Sequence, residues 1–466
     1  MEPASPALSP VTTGRRAVIA TSIGNSLEWY DFSVYAFFAV YIGQAVFRHS
    51  SSGAQTLQAF MAFGIGFVAR PLGALLIGAY GDYAGRKAAL ILTILLMAVG
   101  TGVMAFTPGY AAIGIGAPIM IVCGRVLQGF SAGGEIGGAT AFLIEHAPAD
   151  KKGLYASWIQ ASMALSNVLA ALVATCVTLF LTKGQVASWG WRIPFLVGLG
   201  IGPVGIWLLT TMDETPEFQK EMERAHREQE SLKTPLLQVV RQCPGALLVG
   251  TGFSVLWAVC VYTLIIYTPT YVQRVMHFES RQAFLASFIG NCLMVGSCVF
   301  AGSLSDRFGR RRVLGFATVL MLVGIYPLLV WLGGSHSTAS LILVQSAFCV
   351  MVALFVGVAP ATLAGIFPTR VRSSGMSLSY NFAVMIFGGF APAILTWLTN
   401  RPGGGYAPAW YVMAACAVAL VALLFLPPES AGHPAGAPSP GPGGTSATPR
   451  STSLPQPVDS PQGGPA

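Results

Sequence analysis

Twelve apolar stretches of about 20 residues or more restrict this chain more than any other feature, because a run of that length is what a helix needs to cross a bilayer. They fall at roughly 18–46, 56–80, 88–106, 112–143, 157–181 and 192–212, then at roughly 246–271, 283–303, 312–332, 339–367, 374–398 and 408–426. A polar stretch from Asp213 to Gln242 separates the two sets of six. The sequence therefore predicts an all-α polytopic membrane protein, with twelve transmembrane helices in two six-helix bundles. Composition agrees: 54% of the residues are hydrophobic and 9% are charged, against about 25% charged in a soluble domain.

The expected organisation is a cytoplasmic N-terminal segment over 1–16, a first bundle over 17–212, a cytoplasmic central loop over 213–243, a second bundle over 244–428 and a disordered cytoplasmic tail over 429–466. The tail is rich in Pro, Gly and Ser, a composition that cannot bury a core. Thr215-Pro216-Glu217 reads as a helix start, with a hydroxyl cap, proline at the first position and an acid in the first turn. The first apolar run follows Arg15-Arg16 and is too long for a signal-peptide core.

Basic residues set the orientation. With both termini inside, the inner loops and helix ends hold twelve: Arg15, Arg16, Arg86, Lys87, Lys151, Lys152, Arg307, Arg310, Arg311, Arg312, Arg370 and Arg372. The outer loops hold five: Arg48, Lys183, Arg274, Arg281 and Arg401. That asymmetry predicts a multi-pass protein of the cell inner membrane with both termini cytoplasmic. It also accounts for the net charge of +8 without nucleic acid. Eight scattered cysteines, none in a CxxC pair, give neither a disulfide framework nor a metal site.

The two halves repeat. Gly78-Ala79-Tyr80-Gly81-Asp82-Tyr83-Ala84-Gly85-Arg86-Lys87 lies between the second and third spans, and Gly302-Ser303-Leu304-Ser305-Asp306-Arg307-Phe308-Gly309-Arg310-Arg311 between the eighth and ninth. Asp82 and Asp306 are 224 residues apart; Gly153 and Gly375, each opening the fifth helix of its half, are 222 apart. Two landmarks at nearly one offset argue for tandem six-helix repeats, a common transporter plan.

Charge inside the spans marks where function sits. A charged side chain at the bilayer centre costs ~2.5–3.5 kcal/mol or more, so it is kept only where it faces protein and has a task. The deep charges are Glu28, Asp31, Arg70, Arg125 and Glu135, all in the first half. Glu28 and Asp31 lie three apart and share a helix face with Asn25 and Tyr35. They stand roughly 16–21 Å along the helix, near mid-bilayer, and are the candidate proton carriers. Either could bear the proton, and the alternative is that one simply pairs with an arginine. Arg125 precedes Gly129, Gly133 and Gly137, a stripe that admits a neighbouring backbone and turns the arginine toward protein. Its planar fork suits a substrate carboxylate, or Glu28 and Asp31 until a proton replaces it, or a structural pair. Arg70 continues the small-residue line Ala62, Gly66, Ala74 and Gly78, where an ion pair and substrate binding are equally open. Glu135, about 15 Å beyond Arg125, suits latching or gating. In the second half, Tyr262, Asn291, Ser377 and Asn381 are candidates to hydrogen-bond substrate, with interhelical bonding as the alternative for the last two. Tyr267 and Tyr271 fit an interfacial aromatic belt.

GxxxDxxGR[KR] between the second and third spans, echoed between the eighth and ninth, resembles the loop signature of the major facilitator superfamily. Glu28-Trp29-Tyr30-Asp31-Phe32, Ala69-Arg70-Pro71-Leu72-Gly73, Arg125-Val126-Leu127-Gln128-Gly129-Phe130-Ser131-Ala132-Gly133-Gly134-Glu135, Trp189-Gly190-Trp191-Arg192-Ile193-Pro194-Phe195 and Glu214-Thr215-Pro216-Glu217-Phe218 are similar to its metabolite:proton symporter branch. The resemblance covers essentially residues 17–430. It implies the major facilitator fold and alternating access. Asp82, Arg86, Asp306 and Arg310 would then belong to latches that hold the inner side shut. Tyr83 departs from the arginine usual at its position, whereas Arg307 keeps it in the second copy. Tyr267-Thr268-Pro269-Thr270-Tyr271 and Gly388-Gly389-Phe390-Ala391-Pro392-Ala393 most resemble the citrate and tricarballylate carriers of the branch, and also its osmolyte carriers.

An enzyme is not expected. Gly129-Phe130-Ser131-Ala132-Gly133 spells GxSxG inside an apolar helix, without the strand–turn–helix that a nucleophile elbow needs. No GxxxxGK[ST] loop supplies an ATP motor. The expectation is a monomeric secondary transporter, without cofactor or metal, importing a small organic acid of the citrate type with protons. A carrier of a zwitterionic osmolyte or a shikimate-like acid, or a non-concentrative facilitator, is the alternative.

Overall fold

The computed structural model describes residues 22–426, apart from 23, 24, 27, 49, 50, 85, 134, 146, 201–234, 369 and 370. The N-terminal segment, the helix start at Thr215 and the tail after residue 429 lie outside the described residues, as do the side chains of Asp82, Arg86 and Glu135, although those three stand on helices.

Among the described residues the chain is helical almost throughout, with twelve principal helical segments in sequence joined by shorter ones such as Lys183–Ser188 and Pro235–Gln242. The first covers 28–37 and Ala39–Val46, the second Ser52–Ala84, the third Arg86–Phe106 and the fourth Gly116–Ser131 with Glu135–Glu145. The fifth is Lys152–Phe180 and the sixth begins at 193. The seventh covers Pro244–Arg274, the eighth Ser280–Phe308, the ninth Arg310–Ser335, the tenth Thr338–Ile366, the eleventh Arg372–Thr399 and the twelfth Ala407–Leu424. Eight of the helices among the described residues are long and apolar enough to cross a membrane on their own.

The surface confirms the solvent. Large apolar side chains point outward all round, Phe300 at 61% and Phe316 at 62% exposure among them, while Arg70, Arg125, Gln128, Gln160, Asn291 and Gln345 are buried. In water such a patchwork would aggregate; in hydrocarbon, polar groups belong inside and apolar ones outside.

Small residues decide which helices meet. A methyl group added at Gly129 would fall on the carbonyl oxygen of Gly66, and one at Gly133 on that of Arg70. The fourth helix therefore rides directly on the backbone of the second, as the glycine stripe predicted. Gly137 on the same stripe faces Ser373 and Ser377 of the eleventh helix. The fourth span, expected to be continuous, breaks after Ser131, with turns at Ala132 and Gly133.

The halves meet at both ends of the bundle. The fifth helix packs along the eighth, where the Asp306 carboxylate accepts hydrogen bonds from the Gly153 N–H (2.8 Å) and the Leu154 N–H (2.9 Å). Asp306 thus caps the opening turn of a helix from the other half, where an anion is favoured. Nearby the Asn381 amide donates to the Gly133 carbonyl at 2.8 Å, and Arg310 donates to the Ala361 carbonyl at 3.0 Å. Ser280 begins the eighth helix, ~39 Å from Asp306 by helical rise. There the Tyr41 hydroxyl meets the Ser280 hydroxyl at 2.8 Å, Phe38 stacks on Phe284, and Phe60 meets Tyr267 edge-on. Tyr267 and Tyr271 are buried rather than belt residues; the Tyr271 hydroxyl donates to the Gly405 carbonyl at 2.7 Å.

Two helices are not α-helical throughout. Val261–Tyr267 in the seventh and Val384–Gly388 in the eleventh are π-helical. Each is followed closely by a proline, Pro269 or Pro392, whose missing N–H releases a carbonyl on the preceding turn. In a bilayer released carbonyls must find other donors. The Thr268 hydroxyl lies 2.9 Å from the Leu264 carbonyl and 3.2 Å from that of Thr263, and the Gln345 amide donates to the Leu264 carbonyl at 3.2 Å. Gly388 lets the two π segments touch: a methyl there would meet the Tyr262 ring.

Candidate functional site

Midway along the bundle the first, second, fourth and seventh helices bring Arg70 and Arg125 into one aromatic cluster. Arg125 is fully buried and Arg70 is 2% exposed. The Arg70 guanidinium carbon lies 4.6 Å from the Phe67 ring centre, 4.8 Å from Phe32 and 5.5 Å from Trp29. That of Arg125 lies 4.5 Å from Phe32 and 4.7 Å from both Tyr35 and Phe63. The two cations therefore share Phe32. Tyr262 closes the cluster from the other half, 5.3 Å from Phe67 and 6.3 Å from Trp29 between ring centres. Rings hold a cation by their quadrupole, roughly 2 kcal/mol or more when water is excluded, yet they accept N–H only weakly compared with an oxygen. Nε and Nη2 of each arginine have no hydrogen-bond acceptor among the described residues, and neither does the Tyr262 hydroxyl have a partner there.

The two carboxylates, expected on one helix face, turn to different neighbours. Glu28 turns to Arg70, oxygen to nitrogen 3.8 Å, an ion pair too long for a hydrogen bond. Asp31 turns to the third and fourth helices, where it accepts from the Thr101 hydroxyl and, at 3.3 Å, from the Gln128 amide. Residues three apart differ by about 60° around a helix, enough to aim them at different neighbours once the helices are close. Asn25 on the same seam bonds to the Ile159 carbonyl and the Ser162 hydroxyl of the fifth helix.

Arg125 does not hold Asp31 directly. Its Nη1 donates to Gln128 Oε1 at 2.8 Å, and Gln128 Nε2 passes the contact on to Asp31 and to the Thr101 oxygen at 2.9 Å. The amide interposes a neutral bridge between cation and anion. Asp31 Oδ1 has no hydrogen-bond partner among the described residues.

The remaining candidates divide. Tyr35 lines the cluster, its ring against Phe63 and its hydroxyl donating to the Ala59 carbonyl at 2.9 Å. Asn291 is buried, with its amide on the Ser287 carbonyl and Oδ1 without a partner among the described residues. Ser377 and Asn381 instead serve the contact between the fourth and eleventh helices. Sequence reasoning passed over Gln128 and Thr101, and over Phe32, Phe63 and Phe67 as cage residues; phenylalanine in an apolar span carries no sign of which way it faces.

A family profile described as "Sugar (and other) transporter" matches residues 17–435. The chain belongs to this family of transporters. Among its curated relatives, the citrate-proton symporter of Salmonella typhi is 35% identical over 412 residues, covering 88% of this chain and 94% of the relative. The proline/betaine transporter of Escherichia coli K12 is 32% identical over 415 residues, covering 87% and 82%. Of solved structures, the D-xylose-proton symporter superposes with a TM-score of 0.70 at 19% identity, covering 88% of this chain and 97% of that one. A partially occluded inward-open form of the xylose transporter XylE from E. coli gives 0.67 at 18% identity. The fold of this family member is thus the major facilitator fold expected from its loop signatures, and its twelve helices are those of a membrane transporter rather than an enzyme.

Proposed function

We propose that the protein imports a small organic acid of the citrate type in symport with protons, by alternating access, in the inner membrane with the Asp306 end toward the cytoplasm. One observation carries this reading: two buried guanidiniums with unspent N–H donors share one aromatic cluster, and one of them, Arg125, is joined to the buried Asp31 through Gln128. The donors suit the planar oxygens of a carboxylate. The kinship to citrate-proton symporters points to the same class of solute.

Coupling follows from charge. With Asp31 ionised, the cluster is partly compensated. Protonation of Asp31 removes that counter-charge and leaves Arg125 uncompensated in a dry core, a state that costs several kcal/mol. A substrate carboxylate restores the balance. Proton and anion therefore favour one another's presence, and the loaded centre crosses with fewer bare charges than either partner alone. Glu28 has a similar relation to Arg70 at longer range and is the second candidate carrier. The Asp306 cap and the Asn381 bond belong to the inner closure, and the Tyr41–Ser280 contact to the outer one.

A second reading is favoured by the rings themselves. Trp29, Phe32, Phe63, Phe67 and Tyr262 would also suit a quaternary ammonium, and proline/betaine transporters are among the relatives. Uptake into proteoliposomes under an imposed inward proton gradient separates the two, using labelled citrate, 2-oxoglutarate, shikimate and glycine betaine. Concentrative citrate uptake is expected, collapsing with a protonophore and falling as external pH rises, because the external proton is a co-substrate. Accumulation of betaine alone would replace the anion reading with the osmolyte one.

A further inference from the structure

At the Tyr41 end, the halves enclose a second polar space, away from the arginine cluster. It is a cleft of about 280 Å³, walled on one side by Tyr41 and Lys183 and on the other by Gln273, Arg274, Glu279 and Ser280. That volume lies just below the ~300–1,000 Å³ of pockets for drug-sized molecules, a size for a small acid. A hydrogen-bonded strap joins the two walls: Tyr41 to Ser280 at 2.8 Å, and Ser280 onward to the Gln273 side-chain oxygen at 2.6 Å. Opening the bundle at this end must break the strap.

The charges of the cleft are unbalanced. Neither Lys183 nor Arg274 is in an ion pair among the described residues, although Glu279 shares the cleft. Arg274 donates to the side-chain oxygen of the neutral Asn400 at 3.1 Å. Glu279 is occupied in capping the eighth helix, its carboxylate accepting from the Gln282 backbone. The loops at this end repeat the bias: Arg48, Lys183, Arg274, Arg281 and Arg401 stand against Glu279 as the lone acid. These are fewer than the basic residues of the inner face, as the orientation requires, but almost no acid at this end offsets them. A mouth of one sign focuses solutes of the other and raises their local concentration.

We propose that this cleft is a staging site for the anionic substrate, which docks between Lys183 and Arg274 before the strap opens and the acid passes to the central arginines. The site rests on the organic-acid reading of the transporter. A zwitterion without net charge would gain nothing from it.

The test is the initial rate of labelled citrate uptake by the full chain in proteoliposomes, at low and at physiological ionic strength. For the wild type, KM should rise with ionic strength. Lys183→Gln with Arg274→Gln should raise KM about three- to tenfold at low ionic strength and flatten its salt dependence, with the maximal rate within about twofold. The charge-keeping pair Lys183→Arg with Arg274→Lys should behave as wild type. Glu279→Gln, which retains an oxygen for the cap, should lower KM. A salt-independent wild-type KM, or a double variant matching the wild type at low ionic strength, would overturn the staging site while leaving symport standing. Absence of citrate uptake by the wild type would overturn both.

Discussion

At the scale of single residues, the molecule separates charge that holds helices from charge that can change. In the proposed mechanism Asp31 is the group whose ionisation alters the balance around Arg125, so Asp31→Asn should abolish gradient-driven accumulation and spare substrate exchange. Glu28→Gln, at 3.8 Å from its arginine, should lower the rate and keep accumulation. Counterflow against gradient-driven uptake distinguishes the two, and full accumulation in both variants would remove the carboxylates from the mechanism. Gln128→Leu keeps volume and removes the bridge, stranding a buried Arg125 donor at a cost of about 1–3 kcal/mol. It should lower the melting temperature in detergent and reduce protons moved per substrate, measured as paired fluxes. The four charged members of this centre were legible in the sequence, because a charge inside an apolar run stands out against its neighbours. Their pairing was not. It depends on which helix lies beside which, and the neutral Gln128 that decides it looks, in one dimension, like part of a glycine-rich packing motif.

Among elements, length and periodicity carried most of the information. The apolar runs and the repeated loop were enough for twelve helices in two sixes, and the stripe Gly129, Gly133, Gly137 anticipated a backbone-to-backbone contact. A pair of alanine variants measures how far that contact matters. Gly129→Ala drives a methyl into the Gly66 carbonyl and should destabilise by about 1–3 kcal/mol. Gly138→Ala, one residue beyond the stripe, meets nothing within 4 Å and should be neutral or slightly stabilising. Thermal unfolding of both in one detergent gives the comparison; equal shifts would mean the stripe does not set the spacing of the helices. The π segments were hidden although Pro269 and Pro392 announced an irregularity, since a proline signals a released carbonyl without saying whether the helix kinks, breaks or widens to re-satisfy it.

For the whole molecule, closure at both ends makes conformational balance the quantity that mutations should move. Asp306 joins the halves through two charge-assisted bonds to the fifth helix. Asp306→Asn should weaken that end by about 1–2 kcal/mol, a five- to thirtyfold shift in population toward opening there. Distances between spin labels placed across the Asp306 end would report it; an unchanged distribution would mean that apolar packing alone keeps that side shut. The paired π segments add something that no bond count conveys. A π turn holds one residue more than the α turn it replaces, so returning Val261–Tyr267 to α geometry would rotate the remainder of the helix by about 100° and advance it by about 1.5 Å. Tyr267 and Tyr271 would swing away from Thr399 and Gly405, which they touch here. The seventh helix would then behave as a screw: the part after the π segment turns on its own axis, while the part before it keeps its packing on the eleventh and twelfth helices of its own bundle.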